Sequence, residues 1–180
     1  MNNIKLIALS VFMLSAKYTF SQYLIYPDYD ARLIQPLVNG LSHPHVCVAP
    51  DGWYYLTGTV GDPNEKFEND GIYLWKSKDL ANWQEMGKVF DVSEITWQSR
   101  GEPVYGTHHS KRRMGCRGAE LHFLKGNYYL VYSTVYQSLG ILKSKTGKAE
   151  GPYEDWAKLL PWGYDSSLFE DTDGTVYLTW

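Results

Sequence analysis

An imidazole and a carboxyl group occupy the same place in two copies of one phrase, and the two groups support different chemistry. The first copy runs His43-Pro44-His45-Val46-Cys47-Val48-Ala49-Pro50-Asp51-Gly52 and the second Asp165-Ser166-Ser167-Leu168-Phe169-Glu170-Asp171-Thr172-Asp173-Gly174. Each sets a polar residue ahead of an Asp-Gly turn, then enters a strand ending in Tyr-Leu. A carboxylate such as Asp165 accepts hydrogen bonds and can give or take a proton. An imidazole takes a proton from water at neutral pH, or it hydrogen-bonds a hydroxyl group of a ligand. For His43 a third reading stays open, that of a strand cap ahead of Pro44.

These residues need elements to hold them. A weaker third copy, Glu120-Leu121-His122-Phe123-Leu124-Lys125-Gly126-Asn127-Tyr128-Tyr129-Leu130, lies between the other two. Repeated strand-turn-strand units point to an all-β radial array, the β-propeller, in which the residues opening each inner strand converge on one central site. Glu120 then faces the cavity, as a substrate contact or as an ion-pair partner of Arg117. His45 shares the face of His43 by strand alternation and is assigned to substrate contact. Trp97, between the units, offers either a sugar platform or packing. Asp51 and Asp173 precede glycines and read as turn residues, and Glu170 and Asp171 read as surface charges.

The expected strands of the first blade are 46–49, 53–60, 71–77 and 83–90, and those of the second are 120–124, 128–133, 141–145 and 153–160. Four strands per unit is the content of a propeller blade, and no segment sustains a helical period. Blade 1 is placed at about 43–90, an inter-blade stretch at 91–117, blade 2 at about 118–160 and the start of blade 3 at about 164–180. His43 and Asp165 lie about 122 positions apart, about 61 per blade, so residues 23–180 hold close to two and a half blades. A closed propeller needs at least about four, so the chain reads as the N-terminal part of a longer protein.

Composition narrows the partners. With 21% charged residues and a formal net charge of −3, no basic surface argues for nucleic acid. The 16% aromatic content, with 15 Tyr and 7 Trp, suits pleated sheet and also stacking on sugar rings. Residues 1–22 read as an export signal, with Lys5 ahead of an apolar run from Leu6 to Ala16 that is too short to span a bilayer. The mature protein is therefore expected to be secreted or periplasmic, without a membrane span. Export makes a disulfide between Cys47 and Cys116 chemically possible; the alternative is a free Cys47 packed in its strand and Cys116 in a basic loop. No metal-ligand spacing emerges, and the pair His108-His109 reads as a solvated loop.

Several runs together carry a family resemblance over nearly everything after the signal segment. They are Asp165 to Leu178, the turn Lys76-Ser77-Lys78-Asp79-Leu80-Ala81-Asn82-Trp83, the run Glu150-Gly151-Pro152-Tyr153, and Ala119-Glu120-Leu121-His122. The chain resembles glycoside hydrolase family 43, five-bladed propellers of four-stranded antiparallel blades. The resemblance implies an inverting hydrolase of arabinose-, xylose- or galactose-containing glycans, working without a cofactor on an oligosaccharide or polysaccharide. It implies that Asp165 orients and tunes a general acid. That acid is expected on a fourth blade, past Trp180. His43 stands where the family has the Asp that serves as general base. Inversion places acid and base roughly 6.5–9.5 Å apart with a water between. The change to His leaves two readings, a hydrolase with an imidazole base and a carbohydrate-binding propeller that has lost its base.

The targeting reading has a direct check. The mass of the exported protein should correspond to cleavage near Ala16 or near Ser21-Gln22; an exported product that keeps Met1 would refute the signal assignment.

Overall fold

The computed structural model describes residues 38, 40–61, 69–95, 115–134 and 138–180. Residues 1–22, read as an export signal, lie outside the described residues, as do Trp97 and the pair His108-His109. Among those described, every regular element is a strand except one 3₁₀ turn, Val92–Glu94, which the Asp91 carboxylate caps.

Strands β1 (Leu41–Val48), β2 (Tyr54–Val60), β3 (Gly71–Ser77) and β4 (Gln84–Asp91) pair antiparallel in chain order as one sheet. Strands β5 (Cys116–Leu124), β6 (Asn127–Thr134), β7 (Leu139–Ser144) and β8 (Tyr153–Leu160) repeat that order in a second sheet. Strands β9 (Ser167–Glu170) and β10 (Val176–Thr179) pair as the first hairpin of a third. Strands β3 and β8 match the expected bounds. The inner strands start earlier than expected, at Leu41 rather than Val46 and at Cys116 rather than Glu120.

The reason is a pair of bulges. In β1 the register steps from Ser42 opposite Thr59 to His45 opposite Thr57, so His43 and Pro44 together face Gly58. In β5 it steps from Arg117 opposite Ser133 to Glu120 opposite Val131, so Gly118 and Ala119 face Tyr132. Two residues opposing one is a β-bulge, which bends a strand without ending it. Pro44, expected to lie ahead of the inner strand, sits in the bulge, where no ladder donor is needed. Gly58 is required opposite it: a Cβ there would lie 2.7 Å from the Ser42 carbonyl oxygen.

The hairpins repeat bond for bond. Ala49 N–H donates to the Trp53 carbonyl and Gly52 N–H to Ala49, each at 3.1 Å; in the third sheet Asp171 donates to Thr175 and Gly174 to Asp171, each at 2.8 Å. The carboxylates of Asp51 and Asp173 accept from the amides of Trp53 and Thr175, the turn chemistry expected of them. Glu170, read as a surface charge, makes a solvent-accessible pair with Lys125 at 3.2 Å across to the second sheet.

The core lies where the first two sheets face each other. Cys47, Tyr55, Ile72, Leu74 and Phe90 meet Cys116, Leu121, Tyr128, Leu130 and Tyr132 in one buried cluster. Cys116 is thus in a strand at 1% exposure, not in a basic loop. Both cysteines are free thiols. Burial raises both thiol pKa values, that of Cys47 to about 11. Neither thiol of the folded protein should therefore react with iodoacetamide at about pH 8, and both should react in denaturant. A labelled native protein, or a bridged pair in the unreduced protein, would contradict this arrangement.

Candidate functional site

The bulges of β1 and β5 each open on a residue in the left-handed region, and a residue two positions before β9 shares that conformation. His43 has φ 50°, Gly118 φ 53° and Asp165 φ 46°. His, Asp and Gly are residue types that tolerate this conformation best. The sequence phrases aligned Glu120 with His43 and Asp165. The register instead makes Gly118 their counterpart, since the triplets His43-Pro44-His45 and Gly118-Ala119-Glu120 each end on the first residue back in register. Asp165-Ser166-Ser167 follows the same pattern ahead of β9.

Thr59, opposite Ser42, binds the first two of these positions together. Its Oγ1 accepts the buried Gly118 N–H at 2.7 Å and lies 3.5 Å from His43 Nδ1. That ring nitrogen also lies 3.1 Å from Ser42 Oγ, and the His43 imidazole is exposed. On the other side of Gly118, an added Cβ would stand 3.4 Å from Asp165 Oδ1. Gly118, which carries no side chain, thus touches Thr59, the partner of His43, and lies next to Asp165.

The residues one step past the bulges form a second layer. Glu120 Oε2 lies 3.2 Å from His122 Nε2 and 3.7 Å from His45 Nε2. The His45 and His122 rings are tilted at 40° with centroids 4.8 Å apart. The Ser167 side chain, third of the equivalent positions, hydrogen-bonds the Glu120 carboxylate. Leu168 N–H reaches His122 Nε2 at 3.4 Å. One ring nitrogen serves one in-plane partner, so His122 Nε2 either donates to Glu120 or accepts from Leu168.

Desolvation pulls the His45 imidazole below its ordinary pKa, only partly offset by the Glu120 charge. Desolvation pushes Glu120 up, but hydrogen bonds from His122 and Ser167 and the nearby imidazoles outweigh it and hold the carboxyl low. The layer thus holds a charged carboxylate beside an imidazole that favours its neutral form.

His43 and His45 were expected to share a face. The bulge between them interrupts the alternation, and the two rings take different partners. Thr59, Gly118, His122 and Ser167 were not singled out by sequence reasoning. Aligning the three copies on their bulge triplets would have revealed Gly118 and Ser167. His122 lies on the same face of β5 as Glu120, two residues on.

The sequence model of the family described as Glycosyl hydrolases family 43 matches residues 34–180. A beta-xylosidase of Bacillus subtilis is 28% identical over 155 residues, which cover 82% of this chain and 26% of that protein. A beta-D-galactofuranosidase of Aspergillus niger is 27% identical over 135 residues, 70% of this chain and 37% of that protein. The chain thus spans about a quarter to two fifths of the length of these relatives. Among solved structures, an endo-1,4-beta-xylanase of Bacteroides thetaiotaomicron superposes with a TM-score of 0.54 at 27% identity, over 77% of this chain and 42% of its own. A GH43_1 enzyme of Xanthomonas citri complexed with xylotriose superposes with a TM-score of 0.60 at 19% identity, over 80% and 41%.

The link through Thr59 is testable. Thr59→Val leaves the buried Gly118 N–H without its acceptor and should cost about 1–3 kcal/mol in urea unfolding, whereas Thr59→Ser should keep most of that stability. Equal losses in both variants would show that the hydroxyl does not matter.

Proposed function

The chain belongs to glycosyl hydrolases family 43, and from that premise we propose that it forms part of an exported glycosidase. Its substrates are plant or algal polysaccharides with arabinose-, xylose- or galactose-type sugars, cleaved with inversion. The observation that carries the reading is the matched left-handed backbone of His43, Gly118 and Asp165. Two groups held alike on the first and third blades, with Gly118 of the second blade as their counterpart, suit contact with one sugar ring.

In this reading His43 takes a proton from water as the water oxygen bonds to the anomeric carbon. A carboxylic acid of a fourth blade gives its proton to the departing glycosidic oxygen, and Asp165 orients that acid. Unlike a carboxylate, an imidazole gains a positive charge when it takes the proton. It does so beside a developing oxocarbenium ion, where a carboxylate would have been attractive. The substitution therefore raises the barrier, and it favours a second reading, a propeller that binds glycans without cleaving them.

Turnover of aryl xylosides, arabinosides and galactosides by the natural gene product separates the two. Activity in the wild type that His43→Asp does not raise, and that Asp165→Asn lowers by about 10²–10⁴-fold, supports the hydrolase. Turnover by the His43→Asp variant alone supports the binding propeller. Activity unchanged by Asp165→Asn removes Asp165 from the mechanism.

A further inference from the structure

The second layer has its own chemistry, separate from His43 and Asp165. The geometry points to a binding site for a zinc-type, first-row divalent cation formed by His45, Glu120 and His122. Two imidazole nitrogens and one carboxylate oxygen lie within 4.8 Å of one another. A tetrahedral ion with metal–ligand bonds of about 2.0–2.2 Å sets its ligands about 3.3–3.5 Å apart. The Glu120 oxygen lies 3.2 Å from one nitrogen and 3.7 Å from the other, on either side of that spacing.

The protein alone leaves His45 poorly served. At 3.7 Å its Nε2 is too far from Glu120 for a hydrogen bond. Its Nδ1 is buried with no hydrogen-bond partner among the described residues. A half-buried imidazole aimed at a carboxylate from that distance gains a ligand bond if a cation sits between them. The neutral ring with its proton on Nδ1 is the form that ligates.

The scaffold is suited to hold such an ion. Glu120 and His122 project from one face of β5, and His45 comes from the facing β1, so both ligand sources are paired strands. The Ser167 side chain already bonds Glu120 from the third sheet, as outer partners of metal ligands do. An ion on His122 Nε2 would take the place of that nitrogen's present contacts, the 3.2 Å hydrogen bond with Glu120 and the long 3.4 Å approach of the Leu168 amide. Side-chain exposures of 24% for His45, 22% for Glu120 and 11% for His122 leave the cluster reachable. Two imidazoles with one carboxylate select against calcium and magnesium, which prefer all-oxygen shells. Three protein ligands keep a fourth position for water or a hydroxyl of a bound molecule.

The test uses the natural gene product, free of tags and stripped with chelator. Calorimetric titration with Zn²⁺ should give one site per chain. Co²⁺ should give the strong visible bands of a four- or five-coordinate ion, and calcium at equal concentration should not displace either metal. X-ray absorption of the zinc form should show two imidazoles. His45→Ala and His122→Ala should each weaken Zn²⁺ by more than about tenfold, with chelator-treated melting curves confirming that they fold. The site is overturned if folded wild type shows no saturable Zn²⁺ binding, if calcium displaces zinc, or if folded variants bind unchanged. Should the variants fail to fold, the imidazole count of the wild-type zinc form decides: two uphold the site and none refutes it.

Discussion

A β-bulge opening on a left-handed residue governs β1 and β5, and the placement of His43, His45 and Glu120 follows from it. A non-glycine residue in that conformation stores about 1–3 kcal/mol of strain, so it persists only where its surroundings hold it. At His43 the surroundings are Gly58, which has no Cβ to collide with the Ser42 carbonyl, and the ladder that resumes at His45. The bulge lets β1 and β5 continue past the bend instead of stopping at it. It also separates two layers of function-bearing groups. His43 and Asp165 stand on the left-handed residues themselves, while His45, Glu120 and Ser167 stand on the first residues back in register.

Those layers stay aligned because neighbouring blades are fastened at several depths. Asn69 treats the start of β5 as if it were a strand partner, donating to the Cys116 carbonyl at 2.8 Å and accepting the Cys116 amide at 2.9 Å. Deeper in the contact, Tyr55 and Tyr128 meet edge to face at 6.0 Å, and the Tyr55 hydroxyl donates to Asp51 at 2.8 Å. Within the second blade the Tyr132 ring lies against Gly140, where a Cβ would approach its atoms to 2.6 Å. Lys125 then bridges to the third blade, where it pairs with Glu170. Aromatic packing supplies the area of these contacts, and the polar pairs set their register.

In the proposed reading a carboxylate base would become neutral on taking the proton, whereas His43 would become a cation. The fold can hold either residue, since His and Asp both tolerate the left-handed region better than most side chains. A backbone that accepts either residue lets the catalytic identity change without loss of structure. Meanwhile the second layer gathers two imidazoles and a carboxylate that no step at His43 or Asp165 uses. The same architecture thus presents two chemically distinct sets of groups from neighbouring rows of its inner strands.

Much of this was legible in the chain itself. Strand periodicity, Asp-Gly turns and the Lys-Ser endings of third strands each depend on residues close in sequence. From them came the all-β class, the four-stranded blades and the strands β3 and β8, together with the turn roles of Asp51 and Asp173. Glu120 was read against Arg117 because their sequence proximity was all that could be seen. The early starts of β1 and β5 were missed because a bulge is defined by the partner strand, through Gly58 and Tyr132. The pairing of Glu120 with His45, His122 and Ser167 joins three blades, and no spacing along one chain encodes it. Local sequence determined the elements and the types of side chain available. Only tertiary packing decided which of them meet, because strand register and blade contact are long-range properties.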